Sequence, residues 1–142
     1  MSTFVDQEHF HDPDTGTVGD CWRACIASVT GCPIAEVPHF VQDHGGEWFE
    51  ATNAWLAERY GERFWYYVGE EVARAENRAG ETTREYVLLD GKSPRGDWYH
   101  VVVADAVTGQ MVHDPHPSRA GLASITGVFA LLPVAQSESG AA

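Results

Sequence analysis

Three cysteines, Cys21, Cys25 and Cys32, and seven histidines give this 142-residue chain the side chains that nucleophilic catalysis uses. Cys21 follows Asp20, a residue type favoured at helix N-caps, and opens an apolar stretch that stops at Thr30-Gly31. The unpaired amides and positive dipole end of a helix stabilise a thiolate, so Cys21 is placed as a nucleophile. Cys25 lies one turn further in, where the dipole has faded and burial opposes a thiolate. Cys32 sits in a turn between Gly31 and Pro33. Neither is as well placed, and a helical cysteine is also a common small core residue.

A thiolate nucleophile needs a base, commonly histidine, oriented by a third polar group. His100 heads the most convincing strand, Tyr99 to Ala104, and Asp114 closes the next one at His113-Asp114-Pro115. Register tests whether they meet. A three-residue loop, Val107 to Gly109 with Gly109 left-handed, sets His100 opposite His116 and Asp114 opposite Val102. His100 and Asp114 are then diagonal neighbours about 7–8 Å apart at the backbone. A five-residue loop, Asp105 to Gly109, puts them directly opposite, and an even-length loop sends them to opposite faces. The plain alternative is a satisfied strand-end histidine and an aspartate that starts a turn before proline.

Acyl transfer also needs donors for the developing oxyanion. The Cys21 amide supplies one. Gln7 is the natural second, if the lead-in folds its amide over the nucleophile; Asn53, inside a predicted helix, is a weaker candidate. A lone Gln in a polar segment is more commonly just solvated.

The elements that must position these groups follow from pattern. Residues 1–19 read as an irregular lead-in rich in Asp, His, Gly and Thr. The first helix runs from Asp20 to Thr30, with Trp22, Ile26 and Val29 at helical spacing and small residues between them, which makes it a central helix. A short turn, Ile34 to Val37, lies between Pro33 and Pro38, and a second helix is predicted from Glu47 to Tyr60, ended by Gly61. Strands are predicted at Arg63 to Val68, Tyr86 to Leu89, Tyr99 to Ala104, Gln110 to His113 and Ile125 to Leu132, with a charged helix possible at Glu70 to Ala79. Helices first and a mostly antiparallel sheet afterwards indicate an α+β domain. One domain over residues 1–135 with a flexible tail at 136–142 fits the length.

Composition narrows the function classes. The formal charge of -12 disfavours nucleic acid and anionic membrane as partners. No apolar run suits a membrane span, and the first residues lack the pattern of a signal peptide. Three closely spaced cysteines make a poor disulfide framework. A cytoplasmic location is therefore expected.

The string Gly19-Asp20-Cys21-Trp22-Arg23-Ala24-Cys25-Ile26-Ala27-Ser28, with Tyr99-His100-Val101-Val102-Val103 and Val112-His113-Asp114-Pro115 downstream, resembles the papain-like cysteine peptidases. It is most similar to their compact bacterial branch, which includes the peptidase domains of bacteriocin-exporting transporters. The ending from Val112 to Leu122 also resembles short bacterial and phage-encoded proteins with the same Cys-His-Asp order. The resemblance implies a papain-like fold, Cys21 as nucleophile, His100 as base and Asp114 as its orienter. It departs from the family at two places. The transporter peptidases carry their oxyanion Gln six positions before the nucleophile, where this chain has Thr15, and a Gly after the cysteine, where Trp22 stands.

Two other readings come from the residues. A metal site has ligand types in His9, His11, His113, His116 and the cysteines, but the Cys21 to Cys25 spacing lies within one helix and lacks a second close pair. No metal or other cofactor is expected. A catalytically inactive papain-like binding or assembly module is the more serious rival, with Trp48, Trp55, Trp65, Trp98 and Tyr99 as groove candidates or core. The function expected is a papain-like cysteine hydrolase that cleaves a peptide or isopeptide-like amide bond in a peptide or protein substrate through Cys21, His100 and Asp114, the same machinery that deamidation or transglutamination would use.

Overall fold

The switch from helical to alternating patterns near Gly61 divides the molecule into its two layers. The computed structural model describes residues 4–68, 82 and 84–134. The helical layer comprises α1 (Cys21–Thr30), a 3-10 turn (Ile34–Glu36), α2 (Phe40–His44), a second 3-10 turn (Gly45–Glu47) and α3 (Trp48–Tyr60). The sheet comprises β1 (Glu62–Val68), β2 (Tyr86–Lys92), β3 (Tyr99–Asp105), β4 (Met111–His113) and β5 (Ser124–Pro133). Its order is β1-β5-β2-β3-β4, and every paired neighbour is antiparallel. The chain is thus α+β with a five-stranded antiparallel sheet. Among the described residues, no single helix is long and apolar enough to cross a membrane.

Helix α1 is the centre of the helical layer because its apolar residues leave almost no polar face. Trp22, Cys25, Ile26 and Val29 are buried against Leu88, Val101, Val103, Phe129 and Leu131 of the sheet. The opposite sheet face buries Val87, Leu89, Val102, Ala104, Val128 and Ala130. The uninterrupted apolar run of β3 therefore reflects a strand covered on both faces. Each fully buried aliphatic side chain of this kind contributes about 1.5–3 kcal/mol.

Both predicted helix ends hold: Gly31 and Gly61 take left-handed φ of 77° and 69° and close α1 and α3 by donating their N–H groups to the carbonyls of Ala27 and Ala57. The helix at Phe40–His44 was not foreseen; the His39 ring caps it by accepting from the Gln42 amide at 3.4 Å. Strands β2 and β5 run further than expected, through Lys92 and Pro133. The expected charged helix at Glu70 to Ala79 and the tail at 136–142 lie outside the described residues.

The β3–β4 connection corrects the loop chemistry while keeping the expected pairing. Asp105 donates its amide to the Gln110 carbonyl at 2.9 Å, which leaves the even-length loop Ala106 to Gly109, with Gly109 left-handed at φ 74°. Such a loop by itself puts His100 and Asp114 on opposite faces. The ladder then pairs Ala104 with Met111 but Val103 with His113, so Val112 is an extra residue in β4. This bulge restores parity. Continued by one step, the pairing sets Asp114 opposite Val102, the diagonal arrangement with His100.

Candidate functional site

Helix α1 crosses β3 near Val101, whose carbonyl accepts from the Cys25 thiol at 3.5 Å. One turn back along the helix, Cys21 reaches the level of His100, the second residue of the strand. Cys21 is partly exposed, whereas His100 and Asp114 are 4% and 1% exposed. Cys21 and His100 line one hollow of about 130 Å³, together with Trp48, Asp90, Tyr99 and Phe129 among others.

The His100 Nε2–H donates to Asp114 Oδ1 at 2.7 Å. Asp114 is also held by the His116 amide at 2.9 Å and the Gly121 amide at 2.8 Å. Burial disfavours the Asp114 charge, yet the His100 N–H and these two amides outweigh it and bring the carboxyl pKa down to about 2. Burial likewise disfavours a charged His100 ring. Its contacts with Asp114 and then with the Cys21 sulfur prevail and raise the imidazole to about 9. Deep burial pushes the Cys25 thiol well up, with smaller contributions from Cys21 and Asp114. Cys25 is thus an apolar core residue with its thiol spent on a backbone carbonyl.

Asp20 stands at the N-cap position but does not cap α1 with its side chain. Its fully buried carboxylate instead accepts the Glu8 and His9 amides at 2.9 and 2.8 Å, and Arg23 bridges it to Glu8. The reason is competition: the lead-in brings two amides to a buried anion, a richer arrangement than one helical N–H. The helical ladder starts with the Ala24 amide on Asp20 O, so the Cys21 N–H lies outside it.

The same lead-in positions Gln7. Its amide hydrogen bonds to Pro115 O at 3.0 Å, and its side-chain Nε2 donates to His9 O at 2.7 Å. His9 O also accepts the Asp20 amide at 3.2 Å, which pins the Gln7 side chain beside the peptide preceding Cys21. Gln7 Oε1 is buried without a protein partner among the described residues. Asn53 is tied to the backbone of Phe64 through both ends of its amide. Thr15 lies in an exposed turn closed by the Asp12–Thr17 bridge. Trp22 directs its indole N–H to Thr52 Oγ1 at 2.9 Å, and its ring helps to line the hollow at Cys21.

Of the remaining histidines, His44 ends α2 against Phe40, and the other five are dispersed. His113 Nε2 contacts Val5 O at 3.0 Å, His116 pairs with Ser118, His9 stacks on His39, and His11 lies against Trp98. Among the described residues, Glu8, His9 and Asp20 bring ligand-type atoms within 4.8 Å of one another, but the Arg23 guanidinium already bridges the two carboxylates. Of the aromatic candidates, Trp48 and Tyr99 line the hollow at Cys21. Trp55 packs edge-on to Phe40, and Trp65 sits on the surface beneath Arg63.

Sequence reasoning missed Arg119 and Asp90. Arg119, left-handed at φ 54°, ties the loop after Asp114 to the lead-in by bonding Asp6 and the Asp114 and His116 carbonyls. Its place in a Ser-Arg-Ala-Gly loop gives no pattern to find it by. Asp90, in the strand paired with β3, carried one signal: a carboxylate directly after the apolar run Val87-Leu88-Leu89. Comparison of the chain with protein families, curated proteins and solved structures returned no match.

Proposed function

We propose that the chain is a papain-like cysteine hydrolase that cleaves an amide bond in a peptide or protein substrate. The observation that carries the reading is the His100 ring, bonded through Nε2 to a buried carboxylate and lining one hollow with Cys21, whose sulfur helps to raise the ring's pKa. A ring raised to about 9 is an imidazolium at neutral pH, the form that pairs with a thiolate and can protonate a leaving amine.

In the first half-reaction the Cys21 thiolate attacks the carbonyl carbon, and the C–S bond forms as the carbonyl electrons move to oxygen. The Cys21 N–H, outside the helical ladder, is one donor for that oxyanion, and the second proposed donor is the N–H of Gln7 Nε2 that is not used on His9 O. His100 gives its proton to the amine as the C–N bond breaks, leaving an acyl thioester. Water then loses a proton to His100 and attacks the thioester; the acid departs and the thiolate–imidazolium pair returns. Asp114 keeps Nε2–H in place throughout, so the other nitrogen handles the proton.

Alkylation kinetics test the reading. Iodoacetamide at about pH 6.5 should modify one cysteine rapidly, peptide mapping should place it at Cys21, and His100→Ala should abolish the rate advantage. Slow modification of every cysteine, indifferent to His100, would mean a chain that binds without turnover.

A further inference from the structure

The hollow at Cys21 does not end at the catalytic residues. A second hollow, of about 360 Å³ and lined by Trp48, Phe49, Tyr66, Asp90 and Phe129, adjoins it. The two share Trp48, Asp90 and Phe129. Among the described residues, Asp90 is therefore the one charged side chain that the two hollows share, beside the rings of Trp48 and Phe129. Its place is fixed by the ladder: Asp90 pairs with Val101, the residue after His100.

Three observations show what the cleft lacks. The Tyr66 hydroxyl lies 2.9 and 3.0 Å from the two Asp90 oxygens, so one proton is shared by a carboxylate with room for more donors. No lysine, arginine or histidine among the described residues pairs with Asp90, in contrast to Asp6, Asp20 and Glu62, which each hold an arginine. Burial, against the help of Tyr66 and of the Asp90 and Gly127 amides, raises the Asp90 carboxyl above its ordinary range, and none of these partners carries a positive charge. Tyr66 itself is held down on Gly127, where a Cβ would come within 2.6 Å of its ring, so the hydroxyl and the carboxylate form a fixed pair.

We propose that Asp90 selects substrates with a cationic side chain, of the lysine or arginine class, beside the scissile carbonyl. This deepens the hydrolase reading and rests on it. The aliphatic stem of such a side chain lies against the partly exposed rings of Trp48 and Phe49, and its charged head meets the carboxylate. The formal charge of -12 draws such substrates in.

The test uses peptidyl chloromethyl ketones, in which a sulfur–carbon bond forms at Cys21 and chloride leaves. Lysine is placed either next to the reactive group or one residue before it, and each probe is compared with its norleucine analogue. In the wild-type protein at least one lysine probe should react about ten- to a hundredfold faster, and in Asp90→Asn the ratio should fall to near one. The ratio is the readout because it cancels any general change in thiol reactivity. An acetyl-lysine probe on the wild type supplies the same answer without a variant: it should react like norleucine. Equal rates for lysine and norleucine, with iodoacetamide still reacting quickly and depending on His100, would overturn the selectivity alone. A slow iodoacetamide reaction independent of His100 would overturn the hydrolase reading and the selectivity with it.

Discussion

Val112 bulges from β4, and that single extra residue returns Asp114 to the sheet face that carries His100. The four-residue loop before it sets the wrong parity, so the pair exists only because a second irregularity cancels the first. Deleting Val112 should turn the Asp114 side chain away. NMR titration of the His100 ring should then fall from about 9 toward the ordinary 6.5. Val112→Ala, at a position 41% exposed, should leave the titration in place and change stability by less than about 0.5 kcal/mol. An unmoved titration in the deletion variant would show that parity is restored elsewhere.

The pair should also shape the dependence of stability on pH. His100 is raised from 6.5 to about 9 on folding, so its contribution is complete below pH 6.5 and disappears as pH climbs through 9. Asp114 is depressed from 3.8 to about 2, so its contribution is complete above pH 3.8 and disappears as pH drops through 2. Thermal melts should show a melting temperature that declines between pH 6.5 and 9. His100→Gln should flatten that decline. A wild-type curve that is level over this interval would contradict the coupling.

Asp20 offers a choice between two roles with different magnitudes. A simple N-cap removed to Ala costs about 1 kcal/mol. Asp20→Ala here strands the Glu8 and His9 amides and releases Arg23, so urea denaturation should show a loss of about 2 kcal/mol or more. Iodoacetamide alkylation of Cys21 should slow as well, because the lead-in that carries Gln7 loses its anchor. A loss near 1 kcal/mol with unchanged alkylation would reduce Asp20 to an ordinary cap.

Gly91 pairs with His100 across the ladder, at an irregularity between β2 and β5. A Cβ there would lie 1.8 Å from the Ser124 carbonyl oxygen, a backbone atom that cannot rotate away. Gly91→Ala should therefore force the two central strands apart, at about 1–3 kcal/mol by chemical denaturation, and displace His100 from Asp114. A variant as stable as the wild type would show that β5 yields at Ser124 without strain.

Periodicity made the architecture legible, since α1 and α3 end at glycines and β3 is an unbroken apolar run. The diagonal between His100 and Asp114 was readable too, as one of several registers. Its cause was not, because a bulge at Val112 leaves no trace in a three-residue strand of ordinary composition. The Asp20 side chain misled for a related reason: local propensity marks it as a cap, and only the folded lead-in delivers the two amides that outbid the helix. Asp90 followed three apolar residues and looked like a strand end, whereas β2 continues through Gly91 and Lys92 and makes it interior.

The lead-in reaches the far end of the chain: Val5 O meets the His113 ring, Gln7 donates to Pro115, and Asp6 holds Arg119 across 113 residues of sequence. Loop closure over such a span is entropically the hardest kind. A polypeptide emerging from a ribosome thus carries the Cys21 sulfur well before it gains the His100 imidazole, the Asp114 carboxylate and the Arg119 buckle. Under the hydrolase proposal, the thiol stays without its partners until residues 113–119 close onto the lead-in.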